Sequence, residues 1–283
     1  MQVRDVSNYA QWFVGNAGVV RFKLAVALGE PHCSNCRSTT STYFVDLMEC
    51  QKMAVPALSK VLQEAVKSLI GPYKGGLHAN EIVRGINALD FSNDDSSKLT
   101  AHIPAHFDLL DRAIAQIDDN QFAALKTALM AAKDHLHWKV DDGEYYANGA
   151  DVGEGYKNGN MHTLLIGPEN AVVTSDKYLL GLFLLAPQTL YRDHKHLAPE
   201  LYVTLTGPTA WRVELGEWDE HGAGHRLFNP SNIAHATRVD ETPFLALFAW
   251  ELSAEPSICA VVKLMIGMRL KKNWLSPVKV MAI

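Results

Sequence analysis

The sequence has few cysteines, and their number argues against a protein built on disulfide bonds. Four cysteines occur in 283 residues, a much lower density than in small secreted disulfide-rich domains. Cys33 and Cys36 form one CxxC motif, but no second CxxC exists to complete a zinc site of four thiolates. We therefore expect ordinary reduced thiols in a loop, and a cytoplasmic protein.

Long hydrophobic runs and an excess of positive charge are also missing. The most apolar stretches, 179–186, 244–250 and 257–268, are shorter than the roughly 18 residues that a membrane-spanning helix needs. The first residues contain no basic segment followed by an unbroken apolar run, so we expect no secretory signal. The formal net charge is −5, and we expect neither a nucleic-acid partner nor a membrane partner.

Residues 1–140 are predicted to form a helix-rich N-terminal region. Apolar residues at spacings of three and four, typical of one face of a helix, occur within 46–70, 104–116 and 119–136. Pro56 interrupts the first of these segments. Because a proline inside a helix loses a backbone hydrogen bond and clashes with the preceding turn, we expect Pro56 to begin a second helix.

The character of the sequence changes near residue 141. A stretch rich in glycine, aspartate and asparagine, 141–160, is interpreted as a long connection. Short apolar runs separated by turn residues follow it, which is typical of a small β-sandwich or β-barrel. We therefore predict an α+β protein in which residues 141–283 form a β domain with a C-terminal tail.

One short stretch of the β-rich part concentrates residue types that bind metal ions. His194 and His196 are separated by one residue, so on a β-strand they point to the same face, and Glu200 and Tyr202 share that parity. A fourth ligand has to come from another strand, and His235 is the candidate. Three imidazoles and one carboxylate suit Zn²⁺, Fe²⁺, Mn²⁺, Ni²⁺ or Co²⁺ without choosing among them.

Two motifs around these residues resemble the signatures of the cupin superfamily. They read His194-x-His196-x₃-Glu200-x₆-Gly207 and Gly224-x₅-Pro230-x-Asn232-x₂-His235. Asn232 replaces a glycine of the second signature, and asparagine tolerates the same left-handed turn. Gln188 and Val239 stand where the family has a leading glycine and a final asparagine. The resemblance implies a cupin-type double-stranded β-helix that holds a metal ion.

A narrower resemblance is to the cupin-type dimethylsulfoniopropionate (DMSP) lyases. The pattern that carries it is Tyr191-x₂-His194-x-His196-x₃-Glu200-x-Tyr202. The resemblance implies one divalent transition metal ion, bound by His194, His196, Glu200 and His235. It also implies that Tyr202 is the catalytic base and Tyr191 an accessory catalytic residue. The likeness extends over about residues 155–252. It includes similar short sequence segments, a tryptophan after the first motif (Trp211) and the apolar run that contains Trp250.

These residue types suit the cleavage of DMSP to dimethyl sulfide and acrylate by β-elimination. A cation beside the substrate carboxylate makes the neighbouring proton more acidic and helps a tyrosine to ionise. The cationic sulfonium favours aromatic faces. We expect Trp211 and Trp250 to supply such faces to the substrate, and the alternative for both is packing in the core.

Two other functions fit the same motifs. A cupin dioxygenase or isomerase acting on another small acid would use the same ligands, and a non-enzymatic cupin would bind a small ligand without turnover. The partner is a small molecule in each case. The resemblance to cupins also implies a homodimer, while the roles of the N-terminal helices and of residues 253–283 stay open.

Overall fold

The computed structural model describes residues 47–74, 76–91, 99–104, 106–253 and 258–262, with side chains from residue 54 onward. The CxxC motif and most of the predicted tail lie outside these residues. The helices are α1 (Leu47–Leu69), α2 (Leu77–Asn87), α3 (Phe107–Ala115), α4 (Asp119–Ala132) and α5 (Glu154–Lys157). The strands are β1 (Asn160–Gly167), β2 (Val173–Thr174), β3 (Tyr178–Leu185), β4 (Leu190–Lys195), β5 (Glu200–Thr204), β6 (Thr209–Val213), β7 (Asp219–His221), β8 (Arg226–Asn229), β9 (His235–Arg238), β10 (Phe244–Glu251) and β11 (Ala260–Val261).

Helix α1 passes through Pro56 without a break, so the prediction of two helices there is wrong. Its apolar face, which includes Leu58, Leu62 and Leu69, is buried. Each buried leucine contributes about 2 kcal/mol, and several of them outweigh the roughly 3 kcal/mol that an internal proline costs. Among the described residues, no helix combines the length and the apolar character that crossing a membrane requires.

The strands form two sheets, as expected for a cupin-type fold. The larger sheet has six strands in the order β2-β1-β3-β10-β5-β8, and the smaller has five in the order β11-β4-β9-β6-β7. The helices of the N-terminal region precede both sheets in the chain. The predicted α+β class, with helices followed by a β domain of two sheets, is therefore confirmed.

Strand β10 shows that the six-stranded sheet is buried on both faces. Leu245 and Leu247 belong to the same buried cluster as the helices, whereas Phe244 and Phe248 pack with residues of the five-stranded sheet. This alternation follows from the two-residue period of a strand. A strand covered on both faces needs apolar side chains at every position, which explains the unbroken apolar run. The face between the two sheets carries aromatic rings and holds the candidate site.

Gly181 of β3 lies where the backbones of neighbouring strands approach closely. A Cβ at this position would overlap the Thr163 backbone oxygen and the Phe248 ring. We expect Gly181→Ala to lower the free energy of unfolding by about 1–3 kcal/mol, measured by urea denaturation. Gly155→Ala is the control, because no neighbouring group lies within 4 Å of the added Cβ. Equal unfolding midpoints for the two variants would contradict the close approach at Gly181.

Candidate metal centre and active-site cavity

The three predicted histidine ligands come together at the inner face of the five-stranded sheet. His194 on β4 is paired with His235 on β9, and His196 directly follows the end of β4. One nitrogen from each ring lies within 4.8 Å of the others, and all three residues are buried. The fold thus assembles a group of imidazoles that can hold a metal ion.

Backbone carbonyls fix the orientation of each imidazole. The Nδ1 atoms of His194, His196 and His235 lie 2.8, 2.7 and 2.9 Å from the carbonyl oxygens of Arg192, Ala198 and Ile233. Because a carbonyl oxygen only accepts hydrogen bonds, each Nδ1 carries the hydrogen and each neutral ring presents a lone pair on Nε2. Burial, followed by repulsion from the other two imidazoles, holds the pKa of His194 well below its usual value.

Two of the three Nε2 atoms lack a hydrogen-bond partner among the described residues. The Nε2 atoms of His196 and His235 are buried and make no hydrogen bond within the described part of the chain. A buried nitrogen without a partner is energetically costly. A divalent cation is the partner that satisfies converging imidazole lone pairs, so the residues present fit a metal ion.

Glu200 lies beside the same two nitrogens. Its Oε2 is 3.4 Å from His196 Nε2 and 3.2 Å from His235 Nε2. Trp250 Nε1 donates to Oε1 at 2.7 Å, and Asn229 Nδ2 donates to Oε2 at 3.1 Å. These two donors hold the carboxylate in a fixed orientation, as a metal ligand requires.

The chain crosses from one sheet to the other between His196 and Glu200. Strand β4 ends at Lys195 in the five-stranded sheet, and β5 begins at Glu200 in the six-stranded sheet. The expectation that Glu200 points to the same face of one strand as the histidines is therefore wrong, and Glu200 reaches them because the two sheets face each other. Asn232 donates its backbone N–H to the His196 carbonyl at 2.8 Å and has the predicted left-handed conformation, with φ of 61°.

A cavity of about 210 Å³ opens beside Glu200. Aromatic rings form most of its wall, contributed by Tyr145, Tyr146, Tyr156, Phe183, Tyr191, Tyr202, Phe248 and Trp250. A small cavity with apolar walls and few polar groups suits a small organic ligand. Ring faces also attract a cationic group that has lost its water shell.

Tyr202 on β5 lines this cavity and is almost fully buried. Burial, followed by the negative charge of Glu200 and a hydrogen bond to it, raises the pKa of Tyr202 well above its usual value. The phenol therefore needs a nearby positive charge before it can act as a base.

Trp211 packs behind Tyr202 at a centroid distance of 5.0 Å and is not among the residues that line the cavity. Trp250 does line it and stacks on His196 at 4.3 Å.

Tyr191 links the histidines to a second group of polar residues. Its ring stacks on His194 at 4.0 Å and on Tyr156 at 4.3 Å. Its hydroxyl lies 2.6 Å from the Tyr146 hydroxyl, and Tyr156 donates to Asp141 Oδ2 at 2.7 Å. A row of stacked rings thus runs from His194, a candidate metal ligand, to the buried carboxylate of Asp141.

Sequence reasoning missed the contribution of residues 141–157 to this cavity. Asp141, Tyr145, Tyr146 and Tyr156 all line it, although the composition of the segment predicts only a connection. The available signal was the presence of three tyrosines among the glycines and polar residues. Aromatic side chains bury a large area and seldom occur in numbers in a solvated linker.

Comparison with known proteins agrees with the resemblance drawn from the motifs. The DMSP lyase DddQ of Ruegeria pomeroyi is 27% identical to this chain over 187 residues, which cover 66% of this chain and 89% of that protein. The crystal structure of DddQ from Ruegeria pomeroyi DSS-3 matches with a TM-score of 0.51 at 26% identity, over 71% of this chain and 93% of that one. One of the crystal structures described for the DMSP lyases RdDddP and RnDddQII has the same fold. It matches with a TM-score of 0.58 at 22% identity, over 74% of this chain and 98% of that one.

The family assignment follows from the sequence match that spans both motifs. The profile of the DMSP lyase family matches residues 77–246, which is more than half of the chain. The matched segment contains the three histidines, Glu200 and Tyr202. The chain belongs to the dimethylsulfoniopropionate lyase family.

Proposed function

We propose that this protein is a metal-dependent carbon–sulfur lyase that cleaves DMSP to dimethyl sulfide and acrylate. The observation that carries the proposal is the convergence of three imidazoles and Glu200 beside an aromatic cavity. This arrangement occurs in a member of the DMSP lyase family, and DddQ of Ruegeria pomeroyi, a relative, is a DMSP lyase.

Each part of the substrate has a complementary group in the cavity. A divalent cation held by His194, His196, His235 and Glu200 would offset the charge of the substrate carboxylate and of the Tyr202 phenolate. The sulfonium cannot accept a hydrogen bond, and it packs against ring faces such as that of Phe248, each contributing about 0.5–2 kcal/mol. The enclosing wall excludes water, which strengthens the electrostatic interactions inside.

Tyr202 receives the proton in the proposed elimination. The Tyr202 phenolate removes a proton from the carbon next to the substrate carboxylate, and the electron pair of that C–H bond becomes the double bond of acrylate. The C–S bond breaks, and its electron pair leaves with dimethyl sulfide. Tyr202 is then a neutral phenol and loses its proton before the next turnover. Tyr191 assists by stacking on His194 and holding that ring in place.

Removal of the metal ion is expected to abolish activity and to lower the melting temperature. The melting temperature falls because a ligand bound only by the folded state stabilises that state. Headspace dimethyl sulfide and dissolved acrylate would be measured before chelation, after chelation, and after re-addition of Zn²⁺, Fe²⁺, Mn²⁺, Ni²⁺ or Co²⁺ singly. We expect equal amounts of the two products, restored by at least one metal. Full activity of the metal-free protein would contradict metal dependence, and no dimethyl sulfide with any metal would contradict the lyase assignment.

A further inference from the structure

Asp141 is a buried carboxylate on the cavity wall, and none of the described residues forms an ion pair with it. It is only 4% exposed and lines the cavity. Gly143 N donates to its Oδ1 at 2.8 Å, and the Tyr156 hydroxyl donates to its Oδ2 at 2.7 Å. Lys139, two residues away in the sequence, pairs with Glu144 instead. The charge of Asp141 is therefore oriented but not neutralised.

An uncompensated carboxylate at this depth is unfavourable for the fold alone. Burial raises the pKa of Asp141, the hydrogen bonds from Tyr156 and Gly143 lower it, and the negative charges of Glu144 and Asp142 raise it further. A carboxylate has about four lone-pair positions, and the two donors leave the others available. A positively charged ligand in the cavity would supply the missing partner.

Asp141 lies at the opposite end of the row of stacked rings from the metal-binding histidines. The row runs from His194 to Tyr191 over 4.0 Å and from Tyr191 to Tyr156 over 4.3 Å, and the Tyr156 hydroxyl reaches Asp141. Glu200, which lies beside the histidines, and Asp141 both line this cavity, so one small molecule inside it can present opposite charges to the two groups. A substrate carboxylate fits the end near the histidines, and a cationic group fits the end near Asp141.

We propose that Asp141 is a specificity-determining residue that binds the positive end of a small zwitterionic carboxylate. The identity of the reacting cation as a sulfonium rests on the proposed function, while the binding claim applies equally to a quaternary ammonium. Aromatic faces alone tolerate a neutral group of the same shape. The Asp141 carboxylate adds selection by charge, because a neutral ligand leaves it buried without a partner.

The Asp141→Asn substitution tests this role by removing the charge while keeping the size of the side chain. Three probes would be compared on the metal-loaded full chain: DMSP by release of dimethyl sulfide, and β-alanine betaine and isocaproate by calorimetry. Isocaproate has the shape of DMSP with a neutral carbon in place of sulfur. We expect the KM for DMSP and the Kd for the betaine to rise about tenfold or more, and the Kd for isocaproate to change less than about twofold.

The control is Asp142→Asn, which removes the same charge from an exposed neighbour and should leave all three probes unaffected. If Asp141→Asn weakens isocaproate as much as the two probes that carry a cationic group, or weakens none of the three, the inference is overturned. If no dimethyl sulfide is released but the betaine binds and loses affinity selectively, the lyase assignment fails and this inference stands. If dimethyl sulfide is released without that selectivity, only this inference fails.

A second variant keeps the test decisive if Asp141→Asn does not fold. Tyr156→Phe removes one of the two hydrogen bonds that orient the carboxylate. We expect a smaller loss of affinity, again for the two zwitterionic probes and not for isocaproate. A Tyr156→Phe protein with unchanged affinity for all three probes would overturn the inference.

Discussion

The Tyr202→Phe substitution is expected to lower kcat for dimethyl sulfide release by a factor of about 10²–10⁴, the usual contribution of a positioned general base. The KM for DMSP should change little, because the phenyl ring keeps the wall of the cavity. The pKa of Tyr202 is raised first by burial and then by Glu200, so its ionisation depends on a cation at the neighbouring centre. Headspace gas chromatography of the metal-loaded variant measures the effect.

Tyr73→Phe is the matched control for this prediction. Tyr73 is also buried, but its hydroxyl donates to the Leu69 carbonyl at 3.0 Å and it does not line the cavity. We expect a loss of about 1 kcal/mol in the free energy of unfolding and an unchanged kcat. Wild-type activity of Tyr202→Phe, together with an inactive Tyr191→Phe, would contradict the assignment of Tyr202 as the base.

The His235→Gln substitution is expected to release the metal ion and to reduce dimethyl sulfide formation to background. His235 is the candidate ligand that β9 brings to the histidines near β4, and its buried Nε2 has no hydrogen-bond partner among the described residues. Loss of a direct ligand should weaken metal binding by more than the roughly 10–100-fold that loss of a supporting residue costs. Elemental analysis of the gel-filtered protein gives the metal content per chain.

His225→Gln provides the comparison for the metal measurement. His225 stacks on His221 at 3.6 Å, in the turn between β7 and β8, and belongs to no metal-binding group among the described residues. We expect wild-type metal content and activity for this variant. A His235→Gln protein that keeps its metal and its activity would show that the proposed centre is not the working one.

The sequence identified the candidate metal ligands because most of them are close together in the chain, and the structure brings their three histidines together. His194, His196 and Glu200 lie within seven residues of one another, and the turn that precedes His235 needs a residue that tolerates positive φ, which Asn232 provides. The fold class followed from the change from helical to strand periodicity. These features depend on neighbours in the sequence and could be predicted from it.

Features that depend on distant contacts could not be predicted in the same way. Nothing in the sequence near Glu200 shows that β5 joins a different sheet from β4. The contacts of Asp141 and Tyr156 with the cavity depend on how residues 141–157 pack against the face between the sheets. The boundary between the N-terminal region and the β domain at residues 140 and 141 stays a prediction.

Deuterium substitution at the carbon next to the DMSP carboxylate tests the central claim most directly. If Tyr202 removes that proton in the step that releases dimethyl sulfide, the metal-loaded protein should consume the labelled substrate more slowly in competition with unlabelled DMSP. Deuterium in the S-methyl groups should have no such effect. Equal rates for the carbon-labelled and unlabelled substrates, or slowing only by the methyl label, would contradict proton removal at the proposed position.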